Sequence, residues 1–88
     1  MESERWYVYV IQSIDGNHQY IGMSSDPHSR LKQHNSGQSK YTSAYRPWKI
    51  LYTEFAENLE AARMLEKYYK SASGRRKIKK ILTNDTEA

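Results

Sequence analysis

Three stretches of the chain combine β-branched and aromatic residues in patterns typical of strands. The first, Trp6 to Ile11, is apolar or aromatic throughout and predicts a strand covered on both faces. A second strand is predicted over about His18 to Met23, after the two-residue turn signal Asp15-Gly16. The third, Trp48 to Phe55, is interrupted by polar residues at roughly alternating positions. Together they predict a small sheet of three strands.

The predicted hairpin brings two tyrosines to one face of this sheet. With Asp15-Gly16 as the whole loop, the predicted pairs are Ile14 with Asn17, Ile11 with Tyr20, and Tyr9 with Gly22. Side chains of paired residues share a face, and every second residue returns to it. Tyr9 and Tyr20 are therefore expected to be diagonal neighbours. A three-residue loop or a bulge would separate them.

Helix signals occupy the rest of the chain. Asp26-Pro27 predicts an N-cap and a first-turn proline for a helix that ends near Asn35-Ser36-Gly37. Asn58 is the predicted cap of a second helix, Leu59 to Ser71, and Ser73-Gly74 is expected to end it. A short basic helix, Arg75 to Leu82, follows. The apolar stripe expected to face inward on the second helix consists of Ala62, Leu65, Tyr69 and Ala72.

These elements predict an α/β fold with the order β-β-α-β-α-α, in which a three-stranded antiparallel or mixed sheet is flanked by helices. Eighty-eight residues suffice for one domain, 1–88, with a core over about 6–82. Loose ends are expected at Met1 to Arg5 and at Thr83 to Ala88. Eight tyrosines favour a folded chain over a disordered one.

Composition excludes several kinds of site and classes of protein. The absence of cysteine excludes disulfides, zinc knuckles and a thiol nucleophile, and it fits a reducing compartment. The longest apolar run has six residues and there is no secretory signal, so a cytoplasmic protein without membrane contact is expected.

Positive charge is concentrated near the C-terminus. Eight of the 14 basic residues lie between Arg63 and Lys80, with Glu66 as the one acid among them, and the net charge is +4. Such clustering indicates a nucleic-acid partner, although a solvated helix with a basic tail would have the same composition. Basic and aromatic residues also interleave after the first helix, where they suit either a nucleic acid or packing against the third strand. The predicted nucleic-acid-binding residues are Lys40, Tyr41, Arg46, Lys67, Lys70, Arg75, Arg76 and Lys77.

Five polar residues are candidates for chemistry. The phenols of Tyr9 and Tyr20 can hold a water or accept its proton. Arg30 and His34, one turn apart on a helix, offer a fixed cation for a phosphate and an imidazole for proton movement. Glu66 can supply one carboxylate to Mg²⁺, which commonly keeps several waters. Each also has an ordinary alternative: core packing for the tyrosines, a helix surface for Arg30 and His34, and an ion pair with Arg63 or Lys70 for Glu66.

In this order, the residues resemble the GIY-YIG nuclease domain, in particular its small single-domain members. The resemblance covers about Trp6 to Leu82. Its motifs are Tyr7-Val8-Tyr9-Val10-Ile11, Tyr20-Ile21-Gly22, the stretch from Arg30 to Gly37, Lys40-Tyr41-Thr42, Arg46-Pro47-Trp48-Lys49, and Glu60-Ala61 leading to Glu66 and Lys70.

The resemblance implies a role for each candidate. Tyr9 and Tyr20 would order or activate the attacking water, and Arg30 would stabilise charge on the phosphoryl group. His34 would lie near the reacting phosphate, and Glu66 would ligate a single divalent cation, Mg²⁺ or Mn²⁺. The first motif departs from the family pattern at Tyr7 and Val8, a change that a strand tolerates. Ser25 stands where several relatives have a lysine, which predicts weaker or more restricted turnover.

The resulting hypothesis is a metal-dependent endonuclease that hydrolyses phosphodiester bonds in DNA, or in RNA as the second choice, with a role such as DNA repair. The alternative is a catalytically weak or silent nucleic-acid-binding module of the same fold. A third interpretation is a protein-interaction subunit that uses the aromatic surface, and a protein partner is left open.

Overall fold

The computed structural model describes residues 5–84. Its elements are β1 (Trp6–Ser13), β2 (Gln19–Ser24), α1 (Pro27–Asn35), α2 (Lys40–Ser43), β3 (Trp48–Ala56), α3 (Leu59–Lys70) and α4 (Ala72–Asn84). This confirms the α/β class and the predicted order, to which the structure adds the single helical turn α2. The three strands form an antiparallel sheet in the spatial order β2-β1-β3, which settles the choice between an antiparallel and a mixed sheet.

The hairpin has the predicted register but a longer loop. Ile11 pairs with Tyr20 and Tyr9 with Gly22, as expected. Ile14 and Asn17 lie in the turn and do not form the last pair of the hairpin, because the Asp15 carboxylate forms hydrogen bonds to residues on both sides of it. Its Oδ1 accepts hydrogen bonds from the Ser13 hydroxyl at 2.6 Å and from the Asn17 amide at 3.0 Å. The Ser13 amide donates to the His18 carbonyl oxygen at 2.9 Å, so four residues, 14–17, lie inside this closing pair. Four residues preserve the same parity as two, so the faces of the strands are unchanged.

Both faces of β1 are buried, as its uninterrupted apolar sequence predicts. On one face Val8 and Val10 pack with Tyr69 of α3 and Ile78 of α4. On the other face Tyr9 and Ile11 pack with Trp48, with Leu31 of α1 alongside. The central strand therefore separates two small cores, and Tyr9 belongs to the core on the α1 side.

The break between the last two helices lies earlier than predicted. The second predicted helix ends at Lys70, and Ser71 caps the next one: its side-chain oxygen accepts from the Gly74 amide at 3.2 Å. Gly74 is thus inside α4 and does not end α3. Ala72 is exposed at the start of α4 instead of belonging to the buried stripe of α3.

The predicted loose ends fall largely outside the described residues, which exclude 1–4 and 85–88. Within the described part, α4 continues to Asn84, so Thr83 is helical. No helix over residues 5–84 combines the length and the apolar character that a bilayer crossing requires.

Candidate active site

A buried hydrogen bond between Tyr9 and His34 forms the centre of the candidate site. The Tyr9 hydroxyl and His34 Nε2 are 2.9 Å apart, and both side chains are less than 5% exposed. Strand β1 carries Tyr9, and α1 carries His34. Helix α1 begins as predicted, since the Asp26 side chain accepts from the Ser29 amide and Pro27 occupies the first turn.

Gly22 leaves the space into which the Tyr9 hydroxyl fits. A β-carbon at position 22 would lie 2.6 Å from the Tyr9 hydroxyl oxygen and 3.1 Å from the ring of Tyr20. Such distances are far inside van der Waals contact, so any side chain here would displace the phenol. The glycine of the second motif therefore determines where both tyrosines lie.

His34 is held on its other nitrogen by Thr42. The Nδ1 atom and the Thr42 hydroxyl are 2.8 Å apart, and Thr42 is fully buried. Burial, followed by the positive charge of Arg30, lowers the pKa of His34 below its usual value of 6.5. The imidazole is consequently neutral at pH 7.

Tyr9 retains its proton at neutral pH. Burial raises its pKa to about 12, and the charges of an ionised Tyr20 and of Glu66 act in the same direction. The neighbouring Arg30 guanidinium opposes this shift without cancelling it. Tyr9 is therefore a hydroxyl that can donate to His34 and accept from another group, and it is not a preformed phenolate.

Tyr20 and Arg30 line an open cleft beside this pair. The cleft has a volume of about 210 Å³, and its lining includes His34 and the polar side chains of Gln33 and Gln38. The ring centroids of Tyr20 and His34 are 5.1 Å apart, and those of Tyr9 and Tyr20 are 6.4 Å apart. Three of the five candidates, Tyr20, Arg30 and His34, thus line one opening, and Tyr9 lies buried behind it, bonded to His34. The predicted neighbouring position of Tyr9 and Tyr20 on one face of the sheet is confirmed.

Glu66 lies on α3, one turn before Lys70. Its Oε2 atom lies 3.3 Å from Lys70 Nζ, so the ion pair considered from the sequence does form. Lys70 lines a second depression together with Tyr20 and Tyr41. The Glu66–Lys70 ion pair therefore stands next to a depression that Tyr20 also lines.

The donor groups fit a divalent ion held through one protein ligand. No group of three or more His, Cys, Asp or Glu side chains converges among residues 5–84, so these residues contain no multidentate protein cage. The Glu66 side chain is 25% exposed and therefore remains accessible to a cation. A hard oxygen donor of this kind, completed by waters and phosphate oxygens, suits Mg²⁺ or Mn²⁺.

The predicted nucleic-acid-binding residues lie in several places. Tyr41, Lys70 and Arg75 line the depression next to Tyr20. Lys40 begins α2, and the Arg46 guanidinium packs against the turn at Gly37, where a β-carbon would be 2.6 Å from Nη1. The remaining three lie on outward-facing parts of α3 and α4, away from the cleft: Lys67, Arg76 and Lys77.

Two residues that shape the site, Gly22 and Thr42, are not among the site residues that the sequence predicts. A glycine within a strand is a signal for close approach of another group, so Gly22 could have been identified. Thr42 carries no such signal, because its role depends on how α2 packs against His34. Ser25, at the position of the lysine in relatives, lies in a different depression together with Tyr7 and Thr53.

A family model and several curated proteins are similar to this chain over most of its length. The chain matches the family model described as the GIY-YIG catalytic domain over residues 5–79. It is 33% identical over 78 residues to the UPF0213 protein YazA of Bacillus subtilis, covering 88% of this chain and 78% of YazA. A UPF0213 protein of Bacillus licheniformis is 37% identical over 82 residues, covering 92% and 84% of the two chains.

A solved structure has a similar fold. The solution NMR structure of the UPF0213 protein BH0048 from Bacillus halodurans aligns with a TM-score of 0.52 and 29% identity, covering 88% of this chain and 84% of that one. The family match spans both tyrosine motifs, the helix with Arg30 and His34, and the helix with Glu66. This chain belongs to the GIY-YIG catalytic-domain family.

Proposed function

We propose that the chain is a metal-dependent endonuclease that hydrolyses phosphodiester bonds in nucleic acid, with DNA as the first substrate to test. The observation that carries the proposal is the hydrogen bond between Tyr9 and a neutral His34 beside a cleft lined by Tyr20 and Arg30. A protonated phenol joined to a neutral imidazole can pass a proton inward from a water in the cleft.

The proposed reaction begins with a water held by the two phenols. As its oxygen bonds to phosphorus, its proton moves to the Tyr9 oxygen, and the proton of Tyr9 moves to His34 Nε2. This requires the His34 tautomer with hydrogen on Nδ1, which Thr42 can accept. The bond from phosphorus to the leaving oxygen breaks, and that oxygen takes a proton from solvent.

Arg30 supplies the permanent positive charge in this scheme. A guanidinium at the mouth of the cleft suits the negative charge that develops on the phosphoryl oxygens. Its Nη1 donates to Gln33 one turn along at 2.9 Å, which limits its freedom before a phosphate arrives. Glu66 would hold one Mg²⁺ or Mn²⁺, and a bound ion would add further positive charge near the phosphate.

Nicking of a supercoiled plasmid tests the proposal. The wild-type chain is expected to nick with Mg²⁺ or Mn²⁺ and to stop with EDTA. Tyr9→Phe removes the relay without removing the ring, and Glu66→Gln removes the metal ligand without changing side-chain size. Each is expected to lower the rate by about 100-fold or more, the size of effect found for key charge-stabilising groups.

Ser25→Ala is the matched control, because this exposed residue lies outside the cleft. It is expected to leave nicking unchanged. Undiminished nicking by Tyr9→Phe and Glu66→Gln would contradict the proposed roles of these residues.

A silent binding module is the second candidate, and one observation favours it. The Glu66 carboxylate is already paired with Lys70, which competes with a metal ion for the same oxygen. This candidate predicts nucleic-acid binding that weakens with salt, without metal-dependent nicking at any metal concentration.

A further inference from the structure

Two depressions continue the cleft of the candidate site along α4. The first, about 240 Å³, lies between Tyr20 and Arg75, and the second, about 490 Å³, extends from Arg75 to Leu82. Gln19 and Arg75 line both depressions, and Tyr20 lines both the first depression and the cleft of Arg30 and His34. The three concave regions therefore adjoin one another in a row, which we call the track.

The charged residues that line the two depressions are all basic. They are Lys70, Arg75 and Lys79, and the described residues contribute no acidic side chain to either lining. The Arg75 Nε donates to the carbonyl oxygen of Lys70 at 3.2 Å. This bond holds the guanidinium at the junction of the depressions through one of its five N–H donors, which leaves four for a ligand. Ile78 and Leu82 add an apolar floor.

Helical periodicity separates these basic residues from the others on α4. Arg75, Lys79 and Leu82 are spaced i, i+4 and i+7 and lie on one stripe. Arg76 and Lys80 lie one position further along, about 100° around the helix. Arg76 donates to Ser73 instead, and the Lys77 ammonium lies 6.0 Å from the ring of Tyr68. Only part of the positive charge of α4 therefore faces the track.

We propose that this track, defined by Lys70, Arg75 and Lys79, binds the sugar–phosphate backbone of the strand that flanks the reacting phosphate. The inference rests on the proposed function, since it assumes a nucleic acid in the cleft, and it adds the path by which the strand leaves. Basic residues one helical turn apart are about 6 Å apart along the axis. Phosphates along one strand of a duplex advance by about 3.4 Å, so neighbouring basic residues contact phosphates within two nucleotides of each other.

The test compares two pairs of substitutions that remove the same charge from the same helix. Arg75→Gln with Lys79→Gln alters the track, whereas Arg76→Gln with Lys80→Gln alters the adjacent outward stripe. Binding to labelled DNA, single-stranded and duplex, is measured without divalent metal between about 50 and 200 mM salt. The track pair is expected to make the slope of log affinity against log salt shallower by about 0.7–0.9 for each contact removed. The outward pair is expected to change it by less than half as much.

Lys79→Gln against Lys80→Gln repeats the comparison without touching the bond from Arg75 to Lys70. Both lysines are exposed, so neither substitution threatens folding. A larger loss of affinity and slope for Lys79→Gln supports the track whatever happens to Arg75→Gln.

The outcomes separate this inference from the proposed catalysis. Equal losses for the track and outward variants overturn the track, even if the wild-type chain nicks DNA. Absence of salt-dependent binding by the wild-type chain overturns both the track and the nucleic-acid function. Selective loss in the track variants without any metal-dependent nicking leaves the track standing and contradicts the nuclease.

Discussion

Burial removes His34 from water while both of its ring nitrogens keep hydrogen-bond partners. Tyr9 and Thr42 provide these partners at 2.9 and 2.8 Å, and Arg30 adds a nearby positive charge. Burial and the Arg30 charge disfavour the imidazolium, because the charged form loses hydration and meets a like charge. The neutral state that the proposed proton transfer requires is therefore a property of the fold before any substrate binds.

The same pKa shift predicts a pH dependence of folding. The unfolded chain protonates His34 near its ordinary pKa of 6.5, whereas the folded chain does so only at lower pH. Below pH 6.5 the unfolded state thus binds more protons, and the free energy of unfolding falls as the pH falls towards the folded-state pKa. Urea unfolding at a series of pH values between about 7 and 5 measures this slope.

Two variants identify the residue responsible for the slope. His34→Gln is expected to lose this part of the pH dependence, even if its stability is lower at every pH. His28→Gln removes an exposed imidazole from the same helix and is expected to retain it. A slope that persists in His34→Gln would assign the titration to another group.

At the residue scale, the sequence predicts the placement of the two tyrosines but not the partner of His34. The shared face of Tyr9 and Tyr20 follows from strand pairing alone, because any even-length loop preserves it. The contact between His34 and Thr42 joins α1 to a one-turn helix whose position depends on tertiary packing. Local periodicity contains no information about such a contact.

Among the secondary-structure elements, the junction of α3 and α4 positions the basic residues. The sequence pair Ser73-Gly74 was expected to end α3, since glycine commonly follows helix C-termini. In the structure Gly74 has another purpose: a β-carbon there would lie 2.0 Å from the carbonyl oxygen of Tyr68. The first turn of α4 therefore packs directly against the last turn of α3, and this contact places Arg75 beside Lys70.

Gly74→Ala is expected to destabilise the protein despite the higher helix propensity of alanine. Propensity favours alanine by about 1 kcal/mol in a helix interior. Overpacking against the backbone of Tyr68 commonly costs about 1–3 kcal/mol, and a contact as close as this one falls in the upper part of that range. Thermal or urea unfolding measures the net loss.

Ser73→Ala is the neighbouring control for this substitution. Ser73 is exposed, so its replacement is expected to change the free energy of unfolding by less than about 0.5 kcal/mol. If Gly74→Ala proved as stable as the wild-type chain, the two helices would have to separate readily, and Arg75 would not be fixed beside Lys70.

For the molecule as a whole, the sheet determines which residues can meet. Fold class and the order of elements along the chain were predictable because alternation, capping residues and turn signals all point to the same arrangement. The position of Glu66 relative to the tyrosines was not predictable in this way, since α3 packs on the opposite side of the sheet from Tyr9. The location of Glu66 depends on how α3 packs beside the edge strand β2. This packing cannot be predicted from the position of one residue within a helix.

This arrangement predicts that metal and nucleic acid strengthen each other's binding. In the free chain Lys70 pairs with Glu66 at 3.3 Å, and the Glu66 carboxylate is the one protein ligand in the proposed metal site. A phosphate in the track attracts Lys70 away from Glu66 and brings further oxygen ligands. DNA is therefore expected to tighten Mn²⁺ binding about 5- to 150-fold, and Mn²⁺ to tighten DNA binding by the same factor.

The coupling is measured in the Tyr9→Phe variant, which is expected to leave the DNA uncleaved. Electron paramagnetic resonance quantifies free Mn²⁺ in the presence of this variant with and without DNA. DNA alone serves as the reference. Adding Glu66→Gln is expected to abolish the coupling. Adding Lys70→Gln instead is expected to raise the Mn²⁺ affinity of the chain without DNA and to reduce the gain on adding DNA, because the competing cation is already absent. Equal Mn²⁺ affinity with and without DNA would mean that Glu66 and the track act independently, and Lys70 would then be only a surface ion-pair partner.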